Sequence, residues 1–296
     1  MSDTLASAID ALRHPLPGAG FALGYGTNGF ADHPLDRAVE VLEVAGYGAI
    51  ALTLGHPHLD PFADDAFEQA ARLRERLDDL GWRVVVETGT RYLLDPFVKH
   101  RPTLVDVDAG ARMRFLRRAI DLAVVLRADC VSLWSGVVPD GMSRGHAWQL
   151  LVDRMREVVA HAEASGVVLG FEPEPGMLVE TVADALRLRD ELGAPDALGI
   201  TVDLGHCVAV EPDGVVGALR SAGDLLVNVQ VDDMLPGVHE HLELGNGRLD
   251  LVAALTTLHE IGYRGVAAVE LPRHSHDAPG AATRSMRALR TAWEER

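Results

Sequence analysis

The chain contains few cysteines and few basic residues for its length of 296 residues. Its two cysteines, Cys130 and Cys207, each lie in or next to an apolar run, which predicts reduced, buried thiols rather than a disulfide framework. Lys and Arg together number 27 against 44 Asp and Glu, so the formal net charge is -17. Because nucleic-acid binding draws most of its affinity from basic side chains, this balance argues against a nucleic-acid partner.

Long apolar runs are also absent from the sequence. No uninterrupted apolar stretch reaches the ~18 residues that would span a bilayer. The N-terminal segment MSDTLASAIDALRHPLPGAG lacks the basic start and apolar core of a secretory signal peptide. We therefore expect a soluble, cytoplasmic protein with no membrane partner. The sequence is compatible with a homo-oligomer and does not define its state.

Short β-rich runs recur eight times along the chain, at 21–26, 49–54, 83–88, 130–135, 167–172, 199–204, 225–231 and 266–271. Their continuous apolar character is typical of parallel strands that are buried on both faces. Helical patterns separate them, such as 35–46 and 251–262, each with apolar residues at three- and four-residue spacing and a glycine near its end.

This alternation predicts the α/β class. Eight strand–helix units in about 270 residues favour a single (β/α)8 TIM barrel domain over residues 1–296. An open dinucleotide-binding sheet has little support, because the stretch GYGTNGF after the first strand does not match GxGxxG.

The polar residues that close the predicted strands are mostly acidic. In a barrel the active site lies at the C-terminal ends of the strands, where this sequence places Glu87, Glu172, Asp203 with His206, Gln230 and Glu270. Carboxylates that converge at low local dielectric repel one another unless a cation or protons intervene. A divalent metal is the economical explanation, and this oxygen-rich set suits Mg, Mn or Co. For Glu87 alone, a surface ion pair or a loop cap stays an open alternative.

Five motifs stand in order at the ends of strands five to eight: GFEPEPG, TVDLGH, VQVDD, HEHLELGNGRLD and VELP. Together they resemble the xylose-isomerase-like TIM barrel superfamily. Its members include sugar isomerases, ketose 3-epimerases, hydroxypyruvate isomerases, dehydroshikimate and inosose dehydratases, and apurinic endonucleases. The resemblance covers most of the chain, and its motifs are too general to indicate a substrate.

The resemblance implies one divalent metal ion, with ligands at Glu172, Asp203, Gln230 and Glu270. Mn, Mg or Co is expected, and Zn is compatible with the set. The epimerase and isomerase branches commonly have a histidine where this chain has Gln230, whereas dehydroshikimate dehydratases can carry glutamine there. The endonuclease branch binds three zinc ions through extra histidines, and it is disfavoured because Trp134 and Gln230 stand where such histidines would be expected.

One metal and two flanking glutamates suit proton transfer at a carbon next to a carbonyl. We expect Glu172 and Glu270 to be the catalytic acid and base of an isomerase or epimerase that passes through an enediolate. The expected substrate is a small polyhydroxy carbonyl compound: a sugar, a sugar phosphate or a cyclitol-type hydroxy-ketone. Loss of a β-hydroxyl from the same enolate would make the enzyme a dehydratase. A non-catalytic metal-binding or scaffold barrel is the third alternative.

Further side chains are candidates for substrate binding, namely His206, His241, Glu87, Trp134 and Arg248. The turn GNG at 245–247 precedes a predicted helix, and it is either a phosphate site or a simple turn into that helix. Asp232 and Asp233 are expected to cap the loop that follows strand seven.

Overall fold

The computed structural model describes residues 16–296. The expectation that the N-terminus carries no signal peptide falls mainly on residues 1–15, which lie outside the described residues. In the described part of the chain, no helix is both long and apolar enough to cross a membrane.

Ten strands are found in the described residues: β1 Ala22–Gly26, β2 Ala49–Thr53, β3 Arg83–Glu87, β4 Val131–Leu133, β5 Leu169–Phe171, β6 Leu198–Asp203, β7 Leu226–Val231, β8 Asp233–Leu235, β9 Val238–Leu242 and β10 Val266–Val269. All except β8 and β9 pair in parallel and close into a barrel in the order β1-β10-β7-β6-β5-β4-β3-β2. The eight predicted strands are therefore confirmed, with their ends shifted by two residues at most.

Helices follow the barrel strands along the chain: α1 Leu35–Ala45, α2 Ala66–Leu80, α3 Gly110–Leu126, α4 Arg144–Ser165, α5 Val182–Glu191, α6 Leu204–Val210, α7 Gly214–Ala222, α8 Leu251–Glu260 and α9 Ala278–Glu294. The two helices predicted from their spacing correspond to α1 and α8. Helix α1 ends at Gly46, whose φ of 90° lies in the left-handed region that glycine adopts without a Cβ clash. A closed (β/α)8 TIM barrel is thereby confirmed.

The barrel interior is filled at one end by small side chains. Ala49, Ala51, Val85, Cys130, Val266 and Ala268 form a separate apolar cluster, whereas Ile50 and Leu52, at the alternate positions of β2, pack in the larger core. Strand alternation explains this division, because successive side chains point to opposite faces. Both cysteines are buried and free, as expected. These apolar residues lie near the starts of the strands, and the polar residues lie at the opposite, C-terminal end.

The chain after β7 differs from the open loop that the sequence suggested. Strands β8 and β9 form an antiparallel hairpin there. Asp233 fixes the segment that follows, because its carboxylate accepts hydrogen bonds from the backbone amides of Gly245 (3.0 Å), Gly247 (2.9 Å) and Leu249 (2.8 Å). The predicted capping role of Asp233 is thus seen in the structure. The hairpin brings His239 and His241 back towards the strand ends.

Candidate active site

Both candidate catalytic glutamates are anchored by the barrel backbone. Glu172 directly follows β5, and its amide donates to the Leu133 carbonyl oxygen (2.8 Å). Glu270 directly follows β10, and its amide donates to the Val231 carbonyl oxygen (3.1 Å). Strands β7 and β6 separate these two strands in the barrel. The glutamates are therefore held in fixed positions on non-adjacent strands, at the C-terminal end of the barrel.

Three overlapping sets of potential ligand atoms are present among the described residues. In each set, one atom per residue lies within 4.8 Å of the others: Glu172 with Asp203 and His206; Asp203 with His241 and Glu270; and His206 with His239 and His241. Asp203 belongs to the first two sets and links the glutamates through them. The structure thus places Glu172 and Glu270 each beside Asp203, and their roles as ligands stay a prediction.

Asp203 is the last residue of β6 and the N-cap of helix α6. Its Oδ1 caps the helix by accepting the amide hydrogen of His206 (2.8 Å), which leaves Oδ2 buried without a hydrogen-bond partner. Nε2 of His206 lies 3.9 Å from that Oδ2, and Nδ1 lies 3.6 Å from Oε1 of Glu172. The turn of the chain from strand into helix therefore fixes Asp203 and His206 side by side.

The face of β7 that points into the barrel is polar. Gln230 is buried, and its side-chain oxygen has no hydrogen-bond partner. Asn228, two residues earlier on the same face, donates to Oε1 of Glu87 (3.1 Å). An amide oxygen that is buried without a partner costs stability, and this one lies beside the carboxylates.

Burial and mutual repulsion shift the pKa values of the clustered carboxyl groups, and burial is the larger cause. Burial, with the nearby charge of Glu270, raises the pKa of Glu172 well above its usual value, and the same two causes raise the pKa of Glu87 to about 8. Burial also raises the pKa of Glu174 to about 8. Burial opposes ionisation of Asp203 as well, but the neighbouring His206 and His241 bring its pKa below the usual value.

The ligand atoms around Asp203 fit a divalent cation. The described residues leave Oδ2 of Asp203, Oε1 of Gln230 and Nε2 of His206 buried and unpaired. Carboxylate and amide oxygens are the ligands that hard divalent ions prefer, and a cation would offset the burial and the mutual repulsion that together raise the carboxyl pKa values. The residues that would hold it are Glu172, Asp203, Gln230 and Glu270.

A family model described as xylose isomerase-like TIM barrel matches residues 39–292. The chain belongs to this family. An uncharacterised protein of Methanocaldococcus jannaschii, MJ1311, is 29% identical over 220 residues, which cover 70% of this chain and 74% of that protein. L-ribulose-5-phosphate 3-epimerase UlaE of Shigella flexneri is 26% identical over 238 residues, which cover 78% of this chain and 83% of UlaE.

Solved structures share the xylose isomerase-like fold across nearly the whole chain. L-ribulose 3-epimerase matches with a TM-score of 0.72 and 20% identity, covering 93% of this chain and 96% of that one. The IolI protein with a bound zinc atom also matches with a TM-score of 0.72, at 18% identity, covering 93% and 99%. At these identities the likeness establishes the fold alone.

The predicted substrate-binding residues occupy different parts of this xylose isomerase-like barrel. His206 and His241 lie in the carboxylate cluster, whereas Glu87 lies deeper, against Asn228. Trp134 is only 9% exposed, and the guanidinium of Arg112 lies 4.5 Å from the centre of its ring. Arg248 is exposed at the surface, beyond the turn at 245–247. Of these five candidates, the two histidines share ligand sets with the predicted ligands, and Glu87 lies near enough to Glu270 for that charge to raise its pKa.

The turn at 245–247 behaves as a structural turn. The amides of Gly245 and Gly247, which a phosphate would use, already donate to the carboxylate of Asp233. The Asp233 carboxylate therefore occupies the amides that a bound phosphate would need at this turn. Of the two interpretations open from the sequence, this contact favours the simple turn into α8.

Several polar residues at the site were not predicted from the sequence. Asn28, after β1, donates through Nδ2 to Oε1 of Glu270 (2.7 Å). Asp232 was expected to cap the loop after strand seven, but it is fully buried and pairs with His241 and the amide of Gly205 instead. Glu174 lies 3.9 Å from Nε2 of His239. Asn228 and Gln230, at alternate positions of β7, are a local signal of a polar barrel interior.

Proposed function

We propose that this protein is a divalent-metal-dependent isomerase or epimerase that acts on a sugar-type hydroxy-ketone through an enediolate. The observation that carries the proposal is the pair of glutamates, Glu172 and Glu270, fixed on separate strands, each within a ligand set that contains Asp203, beside buried and unpaired ligand atoms. The epimerase names of several relatives point to the same chemistry. The substrate is a small polyhydroxy carbonyl compound.

The clustered side chains have different roles in the proposed reaction. A bound divalent ion would polarise the substrate carbonyl and stabilise the negative charge that develops beside it. Glu172, Asp203, Gln230 and Glu270 would hold that ion. One of the two glutamates removes the proton from the carbon next to the carbonyl, and the other returns a proton to the opposite face or to the neighbouring carbon. His206 would hydrogen-bond a substrate hydroxyl.

The substrate is not required to carry a phosphate at the turn after β9. Asp233 occupies the amides of Gly245 and Gly247 there, so this turn gives no support to a phosphorylated substrate. UlaE acts on a sugar phosphate, as its name states. A screen should therefore include free ketoses together with their phosphates.

A dehydratase is the second candidate, and Gln230 is the observation that favours it. The buried, unpaired amide oxygen of Gln230 stands where an imidazole is usual in the isomerase branches. Elimination needs the same first step, because a β-hydroxyl leaves from the enolate that proton removal creates. The third alternative, a scaffold barrel without turnover, predicts neither proton exchange nor elimination.

The decisive experiment is incubation of metal-loaded protein in deuterium oxide with ketoses, ketose phosphates, ketocyclitols and 3-dehydroshikimate. Isomerase or epimerase activity places deuterium on the carbon next to the carbonyl, as NMR would show. A dehydratase gives an unsaturated product instead. Absence of both outcomes with every compound would favour the scaffold alternative.

Two matched variants make the assignment specific. Glu172→Gln and Glu270→Gln should each lower the exchange rate by about 10² to 10⁴, the usual contribution of a positioned acid or base. Glu75→Gln, at an exposed position on α2, should keep the parental rate. Full activity in both active-site variants would contradict the proposed roles.

A further inference from the structure

His241 is held in place by a buried carboxylate. Its Nδ1 lies 2.6 Å from Oδ2 of Asp232, the distance of a close ion pair. Asp232 is fully buried, and its other oxygen accepts the amide hydrogen of Gly205 (3.1 Å). One ring nitrogen of His241 thus faces a fixed protein partner, and Nε2 stays available for another ligand.

The imidazole lies above the end of β7. In the barrel, β7 runs between β6 and β10, and Gln230 pairs in register with Asp203 on one side and Ala268 on the other. His241 lies within 4.8 Å of Asp203 and Glu270, which are the potential ligands of those two flanking strands. The hairpin that continues from β7 therefore returns an imidazole to the gap between them.

We infer that His241 binds the divalent metal through Nε2, together with Asp203 and Glu270, and supplies the nitrogen ligand that β7 itself does not carry. Asp232 is the positioning residue for this ligand. A metal-binding histidine commonly directs its second nitrogen to a carboxylate, which fixes the orientation of the ring and raises its basicity. This inference rests on the metal site of the proposed function and adds a ligand to it.

The other two histidines of the cluster are less well placed for this role. Nδ1 of His206 lies 3.3 Å from the Pro173 carbonyl oxygen, and its ring is grouped with Glu172 rather than with Glu270. The His239 side chain is 34% exposed, against 15% for His241, and its nearest acidic partner is Glu174 at 3.9 Å. His239 is therefore a matched control on the same strand, two residues away.

The inference can be tested on protein loaded with Co²⁺ alone. Proton NMR of a Co²⁺ site shows a strongly shifted, exchangeable N–H signal for each coordinated imidazole. We expect such a signal in the parent protein, its loss in His241→Asn and its retention in His239→Asn. In Asp232→Asn the signal should exchange faster with solvent, and Co²⁺ affinity should fall by about 10- to 100-fold.

Each alternative outcome has a definite meaning. A signal that persists in His241→Asn and disappears in His206→Asn would overturn the assignment to His241. Co²⁺ binding without a shifted imidazole signal would overturn it as well, while leaving the proposed metal-dependent function intact. Failure of the parent protein to bind Co²⁺ or any other divalent ion would overturn both. If His241→Asn does not fold, by circular dichroism, Asp232→Asn still decides through the exchange rate and the affinity.

Discussion

At the scale of single residues, Asn28 favours the ionised form of a candidate catalytic glutamate, Glu270. Burial raises the pKa of Glu270, whereas His241 and the hydrogen bond from Asn28 lower it. Removing the donor in Asn28→Ala disfavours the carboxylate, so the pKa of Glu270 should rise further. A hydrogen bond to a charged group contributes about 1.5–3 kcal/mol, which corresponds to about one to two pH units.

The measurement for Asn28→Ala is the pH profile of kcat/KM. The limb that reports the basic form of Glu270 should move to higher pH by this amount, with partial recovery of the parental profile in Asn28→Gln. Asn246→Ala, at an exposed turn, should leave the profile in place. An unshifted limb in Asn28→Ala would mean that Glu270 does not act as the base.

At the scale of elements, the close contact between helix α6 and the end of β7 depends on Gly205. The Gly205 amide donates to Asp232, and a Cβ at this position would overlap Oδ1 of Asp232 and press on Met234. Gly205→Ala should therefore push Asp232 from its place. We expect a loss of about 1–3 kcal/mol in the free energy of unfolding, typical of an overpacked interior, together with weaker metal binding.

Urea denaturation of Gly205→Ala, with Gly145→Ala as the control, tests this expectation. Gly145 lies in helix α4 with open space around its Cβ position, so alanine there should stabilise the protein by about 0.5–1 kcal/mol. Equal effects of the two substitutions would show that the contact between α6 and Asp232 tolerates a side chain.

At the scale of the whole molecule, the buried acidic groups near the strand ends should make the metal-free protein less stable as pH rises above about 6.5. Burial raises the pKa of Glu87 and Glu174 to about 8. Burial alone would lower the pKa of His241, but its contact with Asp232 outweighs this and raises the pKa to about 10. These groups bind protons more tightly in the folded state than in the unfolded state. Between about pH 6.5 and 8 the free energy of unfolding should therefore decrease with pH.

Below about pH 6.5 the buried histidines act in the opposite direction. Burial lowers the pKa of His100 and His206 to about 4, so the unfolded state takes up protons there that the folded state does not. Thermal unfolding with EDTA should give a Tm that falls from pH 6.5 to 8. Bound metal should reduce this dependence, and Glu87→Gln should remove part of it. A Tm that rises across this range without metal would contradict the proposed charge balance.

The amino-acid sequence alone determined the strand positions, the barrel class and the carboxylates at the strand ends. These features follow from local patterns, because apolar runs, helical spacing and turn glycines repeat along the chain. The structure confirms the barrel and groups Glu172, Asp203 and Glu270. The single domain over residues 1–296, and the ligand role of Gln230, stay predictions.

Only the tertiary structure decided which side chains support those carboxylates. Asn28 meets Glu270 across 242 positions of sequence, and no local pattern specifies such a contact. Asp232 looked like a loop cap by its position, yet the hairpin of β8 and β9 folds His241 against it. Strand order and hairpin geometry bring these groups together, because closing the barrel places distant segments side by side. The sequence therefore specified the candidate acids and bases, and the closed barrel specified their partners.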